Sequence, residues 1–338
     1  MITFTRRQSL ALMGAAATGL AAPAIAQNRK IVVGALSLTS HSGSYIAYER
    51  GYYTEAGLDV ELKFFQAAQP MAVAIASGDV DYGITAISGG LISLADKGAV
   101  KVIGGALSEE PGIDGQKILA SDAAYQAGLT SPAGLDGKSF GITTAGSSFH
   151  YMGSKVAAAE GAELTFKPLQ KVGAVIGALK SGQIDAWSIV PHIAKPLDGS
   201  GAVHIIGNIS DYLPHYQVTT IFTSAQNTTD EVAQTQAFLA GYSKGVADYN
   251  STMIDKAQGD EGIDQLVDII HKYVYSDRPR EKAAPSIING TMRLNAEAAL
   301  NIASVKDQLD WFKAEGLVDS SITLDTLVDD SLAETFEA

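Results

Sequence analysis

From residue 31 to about residue 220, short apolar runs alternate with stretches in which apolar residues return every three or four positions. The runs are rich in Val, Ile and Phe and bounded by Gly, Ser or Asp. They predict strands over residues 31–36, 59–65, 80–85, 139–143, 163–169, 184–190 and 219–223. The helical spacing between them predicts helices over 45–56, 71–76, 149–159 and 174–180, and beyond them over 230–250, 262–275, 295–314 and 324–336. Two of these helices stop at Ser77-Gly78 and Ser181-Gly182, where glycine takes the left-handed position that closes a helix. Strands alternating with helices imply an α/β fold, with mostly parallel sheets flanked by helices.

The pattern is duplicated. Residues 57–81 align without gaps on residues 161–185, at an offset of 104. Gly57/Gly161, Lys63/Lys167, Gln66/Gln170, Ala74/Ala178, Ser77/Ser181, Gly78/Gly182 and Asp81/Asp185 are identical. The same offset extends upstream, setting Thr39-Ser40 on Thr143-Thr144 and Ser44 on Ser148. Each copy reads strand, Ser/Gly loop, helix, strand, helix, strand. Two copies predict two similar lobes with a hinge between them; one doubly wound domain reusing βαβ units is the alternative. Residues 108–116, rich in Gly, Pro and acids, and residues 212–218 are the expected crossings. The division that follows is 27–112 for the first part of lobe 1, 113–217 for lobe 2, and 218–338 for the completion of lobe 1 and the C-terminal helices. About 310 residues beyond an export signal also exceed what one core usually supports.

That signal is read in residues 1–26. Arg6-Arg7 precede a weakly apolar stretch, and Ala24-Ile25-Ala26 offers a small-x-small cleavage site. Thr5-Arg6-Arg7-Gln8-Ser9-Leu10 resembles a twin-arginine signal, with the ordinary secretory route left open. The apolar stretch is shorter than the ~20 residues that span a bilayer. The chain has no cysteine, which rules out disulfides, thiolate chemistry and lipid anchoring through an acylated cysteine. A soluble protein outside the cytoplasm is expected, periplasmic first, with release into the medium as the alternative. The formal net charge is −13, and the two arginines are the only charges in residues 1–26, so their removal makes it −15. That sign excludes nucleic acid as a partner.

In open α/β sheets ligands bind beyond the carboxyl ends of the strands. Three loops there carry small hydroxyl and glycine residues: 39–44, 85–90 and 143–148. They make Thr39, Ser42, Gly43, Ser44, Ser88, Gly89, Ser147 and Ser148 candidate ligand contacts. The helix starts beside them favour an anionic or strongly polar group. Tyr45, Phe149, His150, Trp187 and, at the second crossing, Tyr216 are candidate walls or lids. For each loop the competing reading is a plain helix cap, and for Trp187 a core residue. The six histidines show no metal-binding spacing, and neither a nucleophile elbow nor a phosphate loop is present, so no metal, cofactor or catalytic residue is expected.

Residues 48–62, YERGYYTEAGLDVEL, followed by residues 76–83, ASGDVDYG, resemble the nitrate/sulfonate/taurine family of ABC-transporter substrate-binding proteins. Residues 310–317, DWFKAEGL, resemble a late helix of that family. The resemblance implies a type II periplasmic-binding-protein fold that closes on its ligand and delivers it to a membrane permease and its ATPase. Its cleft loops fall on residues 42–45, 88–89, 147–150 and the strand bearing Trp187. It implies a monomer that binds a small organic anion such as a sulfonate, carboxylate or aromatic acid. A vitamin pyrimidine precursor is the alternative ligand, although the cysteine-rich motif of that branch is absent. An exported enzyme on the same fold and a receptor for a sensory system are the alternative functions.

Overall fold

The structure is a computed structural model in which residues 30–338 are described; the expected export signal lies outside the described residues. Strands form at each apolar run of the repeat. The first part of the chain gives β1 (Ile31–Leu36), β2 (Val60–Phe65), β3 (Tyr82–Thr85) and β4 (Val100–Ser108). After a crossing come β5 (Lys117–Ser121), β6 (Ser139–Ile142), β7 (Thr165–Pro168), β8 (Ala186–Ile189) and β9 (Val203–Asn208). After a second crossing comes β10 (Gln217–Ser224).

These strands make two five-stranded sheets of one topology, ordered β2-β1-β3-β10-β4 and β7-β6-β8-β5-β9. The repeat supplies three parallel strands to each: β1 between β2 and β3, and β6 between β7 and β8. The other two ladders of each sheet are antiparallel, made by β10 on β3 and β4 and by β5 on β8 and β9. The sheets are therefore mixed but mostly parallel, with four strands of each running one way and one strand running against them. A strand arriving from the opposite lobe enters at the edge where the parallel strands end, so it must run back against them.

Strand register shows where the two copies correspond. Val33 pairs with Leu62 and Tyr82, while Phe140 pairs with Phe166 and Ala186. The second and third strands keep the offset of 104, but the first strands stand 107 apart. Two further pairs carry that wider offset. The Val32 N–H donates to Asp81 Oδ2 at 2.8 Å, and the Ser139 N–H donates to Asp185 Oδ2 at 2.8 Å. A Cβ on Gly34 would stand 3.0 Å from Met71, and one on Gly141 would stand 2.7 Å from Val175. Both glycines let the helix after the second strand lie close on the sheet. The upstream extension of the constant offset is thus corrected. Ser148 opens its helix, whereas Ser44 is the third residue of its own.

The helix expected over 45–56 is two pieces, Ser42–Glu49 and Tyr52–Glu55, parted at Gly51 with φ 75°. Helix Val232–Tyr249 crosses Ser42–Glu49 at a very short distance. A Cβ on Gly43 would come within 2.8 Å of Val246, and one on Gly245 within 2.2 Å of the Gly43 carbonyl. Below this crossing Tyr53, Tyr82 and Phe238 stack in the core, with centroids 5.6 and 4.1 Å from Phe238. Helices Gly259–His271 and Ile302–Ala314 occupy two more of the expected regions, and only Leu324–Leu327 is helical within the fourth. Helix Arg280–Asn289 holds Pro285 in its interior, a residue that breaks the helical pattern when read from sequence. It packs against helix Pro191–Gly199, tying the C-terminal region to the second sheet.

Candidate functional site

The carboxyl ends of β1, β3, β6 and β8 converge on one cavity of about 60 Å³ between the sheets. Leu36, Thr85, Thr143 and Ile189 mark those strand ends in its wall. Four helices begin at the same place: Ser42–Glu49, Ala68–Ala76, Ser148–Glu160 and Val172–Lys180. Their N-cap residues are His41, Ala67, Ser147 and Lys171, and none accepts a helix N–H through its side chain. Elsewhere Ser88, Ser121, Asn301 and Thr323 do cap their helices. Uncapped first turns leave N–H groups and the positive end of the helix dipole facing the cavity. No Lys, Arg, Asp or Glu is among the residues lining it.

Two hydroxyls in the wall have no partner among the described residues. Ser147 Oγ, in a residue 4% exposed, comes from the second lobe, and Thr219 Oγ1, in a residue 6% exposed, comes from the first strand after the second crossing. A buried hydroxyl without a partner carries a desolvation penalty that a hydrogen-bonding ligand removes. Apolar side chains fill the rest of the wall, with Leu38, Phe149, Val172 and Val218 prominent among them. The arrangement suits a small molecule with one polar or anionic head and an apolar body.

The lobes meet around this cavity. The Gly89 N–H donates to the Gly146 carbonyl at 2.9 Å, with Phe312 beneath both glycines. Thr39 Oγ1 and His192 Nδ1 are 2.8 Å apart. On the outer rim the Tyr151 hydroxyl donates to Asp307, Lys155 pairs with Asp307 at 2.8 Å, and Trp311 lies edge-on to His150 and Tyr151.

The sequence candidates fall into three groups. Ser147, Ser148 and Phe149 line the cavity. Thr39, Ser88, Gly89 and His150 build the seam. Ser88 Oγ accepts the Leu91 N–H, so it caps, and His150 Nδ1 accepts the Gly146 N–H at 3.1 Å. Burial lowers the His150 pKa, which keeps the ring neutral. The remaining candidates are packed into the core. Gly43 sits in the helix crossing, Ser44 accepts the Tyr53 hydroxyl at 3.5 Å, and Tyr45 donates to the Leu36 carbonyl while stacking on Tyr273. Ser42 is fully buried with Oγ unpartnered, outside the lining. Trp187 is fully buried behind Phe149, 5.3 Å between centroids, and Tyr216 is buried against Tyr151, 5.1 Å away.

Lining residues that were not anticipated include Gln116 at the first crossing, Thr219 in the strand after the second, and Ala67, Ala68 and Val172 at helix starts. Ala68 and Val172 are 104 residues apart, so the duplication and the strand-end rule together carried the signal for that pair. Gln116 and Thr219 had no such signal, because nothing local marks which residue of a crossing faces inward.

The sequence model of the NMT1/THI5-like family matches residues 38–251, well over half of the chain. The chain belongs to that family. No curated protein sequence matches it. Among solved structures, this NMT1/THI5-like chain resembles the alkanesulfonate-binding protein SsuA from Xanthomonas axonopodis pv. citri bound to MOPS. The TM-score is 0.70 at 18% identity, covering 89% of this chain and 98% of that one. The periplasmic nitrate-binding protein NrtA from Synechocystis PCC 6803 gives a TM-score of 0.71 at 13% identity, covering 90% and 87%. A Candida albicans protein, CA3427, described as having the generic periplasmic binding protein fold, gives 0.68 at 15%, covering 90% and 98%. The fold of this NMT1/THI5-like protein is therefore that of the periplasmic binding proteins.

Proposed function

We propose that this protein is a soluble receptor that captures a small organic anion between its two lobes and hands it to a membrane permease. The supporting observation is the cavity itself, where four uncapped helix starts and two unpartnered hydroxyls from opposite lobes meet an apolar wall. Helix N-termini hold anions without a formal positive charge, so the absence of lysine and arginine from the lining suits a single negative charge with an apolar body. The ligands that similar structures are named for, alkanesulfonate and nitrate, fit the same head group. Binding without chemistry is the reading favoured here, since similar structures are named as alkanesulfonate-binding and nitrate-binding proteins.

The division into a first lobe (residues 27–112 and 218–338) and a second (113–217), closing about the crossings, belongs to this proposal. So do periplasmic location after loss of residues 1–26 and a monomeric state. Thermal shift against sulfonates, carboxylates, aromatic acids, nitrate and pyrimidines tests it, since a ligand bound only by the native state raises the melting temperature. A rise with one anionic class supports the reading. A rise with pyrimidines alone moves the ligand to that class, and turnover of any compound overturns the receptor.

A further inference from the structure

Two buried imidazoles lie at the seam, one from each lobe. His41 belongs to the loop after β1 and lines the cavity. His192, the second residue of helix Pro191–Gly199, comes from the other lobe. Both are 1% exposed. His41 Nδ1 accepts the Leu36 N–H at 3.4 Å, which puts the ring proton on Nε2. His192 Nδ1 engages Thr39 Oγ1 at 2.8 Å, and its Nε2 has no partner among the described residues. The helix start bearing His192 is held from outside the second lobe as well. The Tyr275 hydroxyl donates to the His192 carbonyl at 2.7 Å, and Gly290 lies so close that a Cβ there would come within 2.2 Å of His192 Cα.

We propose that His41 and His192 form a latch that holds the lobes together while both rings are neutral and releases them on acidification. The proposal rests on the reading that the lobes open and close on a ligand. Protonating either ring places a cation in a buried seam, where no acidic side chain is hydrogen-bonded to either ring. Lys195 pairs with Asp114, Arg280 with Asp264 and Asp268, Lys244 with Glu55, Arg50 with Asp248 and Lys272 with Glu49. Arg278 stands over the Tyr275 ring, 4.4 Å from its centroid.

Burial brings the pKa of each ring down to about 3, and for His192 the neighbouring His41 lowers it further. In the open form both rings reach water and return toward about 6.5. The open form then binds more protons than the closed form between those values. The contribution of the two rings to closure is therefore fully present above about pH 6.5 and weakens progressively as pH falls below it.

The cysteine-free chain permits a clean test. Spin labels on Val73→Cys and Gly177→Cys, exposed positions on corresponding helices of the two lobes, report the distance between lobes. The latch predicts that the short-distance population shrinks several-fold between about pH 7.5 and about pH 5. It also predicts that His41→Gln with His192→Gln, which keeps hydrogen-bonding amides but no titrating ring, holds its population constant over that range. A population independent of pH in the parent, or the same loss in the double variant, overturns the latch. Circular dichroism at each pH confirms that lobe separation, not unfolding, is being read. The receptor reading stands or falls separately, on the ligand panel at neutral pH.

Discussion

The backbone N–H of Gly89 donates to the backbone carbonyl of Gly146 at 2.9 Å, so the two lobes touch main chain to main chain. Gly146 has φ 68°, a left-handed conformation, and a Cβ there would stand 3.3 Å from Phe312 and 3.5 Å from Gly89 N. Gly146→Ala adds about 1 kcal/mol of backbone strain and crowds the seam that closure forms. Ligand affinity should fall about fivefold to tenfold, with a smaller drop in melting temperature. Titration calorimetry beside a thermal melt measures both, and unchanged affinity counts against a seam that forms on closure.

Asp185 holds the first strand of the second lobe. Its Oδ2 accepts from both the N–H and the hydroxyl of Ser139, and its own N–H donates to Ser139 Oγ at 2.9 Å. Asp185→Ala strips the acceptor from a partly buried amide and should cost about 1–3 kcal/mol in urea unfolding. Ser139→Ala loses the hydroxyl but keeps the amide bond, so its cost should be clearly smaller. Equal costs contradict this account of the aspartate.

Glu109, in the first crossing, carries a pH signature opposite to that of the histidines. Burial raises its pKa to about 7, against the lowering effect of its bonds from Gln116. The unfolded chain releases that proton near the ordinary carboxylate value, about 4.5, while the folded chain retains it. The stability it contributes is present below about pH 4.5 and is lost as pH rises through about 7. Glu109→Gln removes the charge, so its stability advantage over the parent should grow across that window. A difference that is flat with pH contradicts the burial of this carboxyl.

Much of the fold was legible because the duplication exposes its own grammar. The Ser-Gly stops, the matched aspartates and the second and third strands all keep one offset. The first strands slip to 107 because the first copy takes more residues between its first and second strands, where its helix is broken at Gly51, and pairing register rather than sequence spacing fixes which residues correspond. That slip misplaced Ser44, which the helix crossing at Gly43 and Gly245 turns into the core. Strand direction after the crossings depends on where the chain re-enters a sheet, a long-range fact with no local mark. For the same reason Thr219 and Gln116 were passed over, while Ser147 and Ser148, reached by the strand-end rule, and Phe149, reached as the aromatic beside them, line the cavity.

The central claim is that one ligand is gripped by both lobes, and Ser147 and Thr219 test it from either side. Ser147→Ala and Thr219→Val each remove a buried hydroxyl without a partner and keep the shape of the wall. Calorimetric titration of both variants with the compound that most raises the parent's melting temperature is the decisive measurement. The account predicts that each variant binds about tenfold more weakly while melting no lower than the parent. Full affinity in either variant would contradict a ligand held between the lobes.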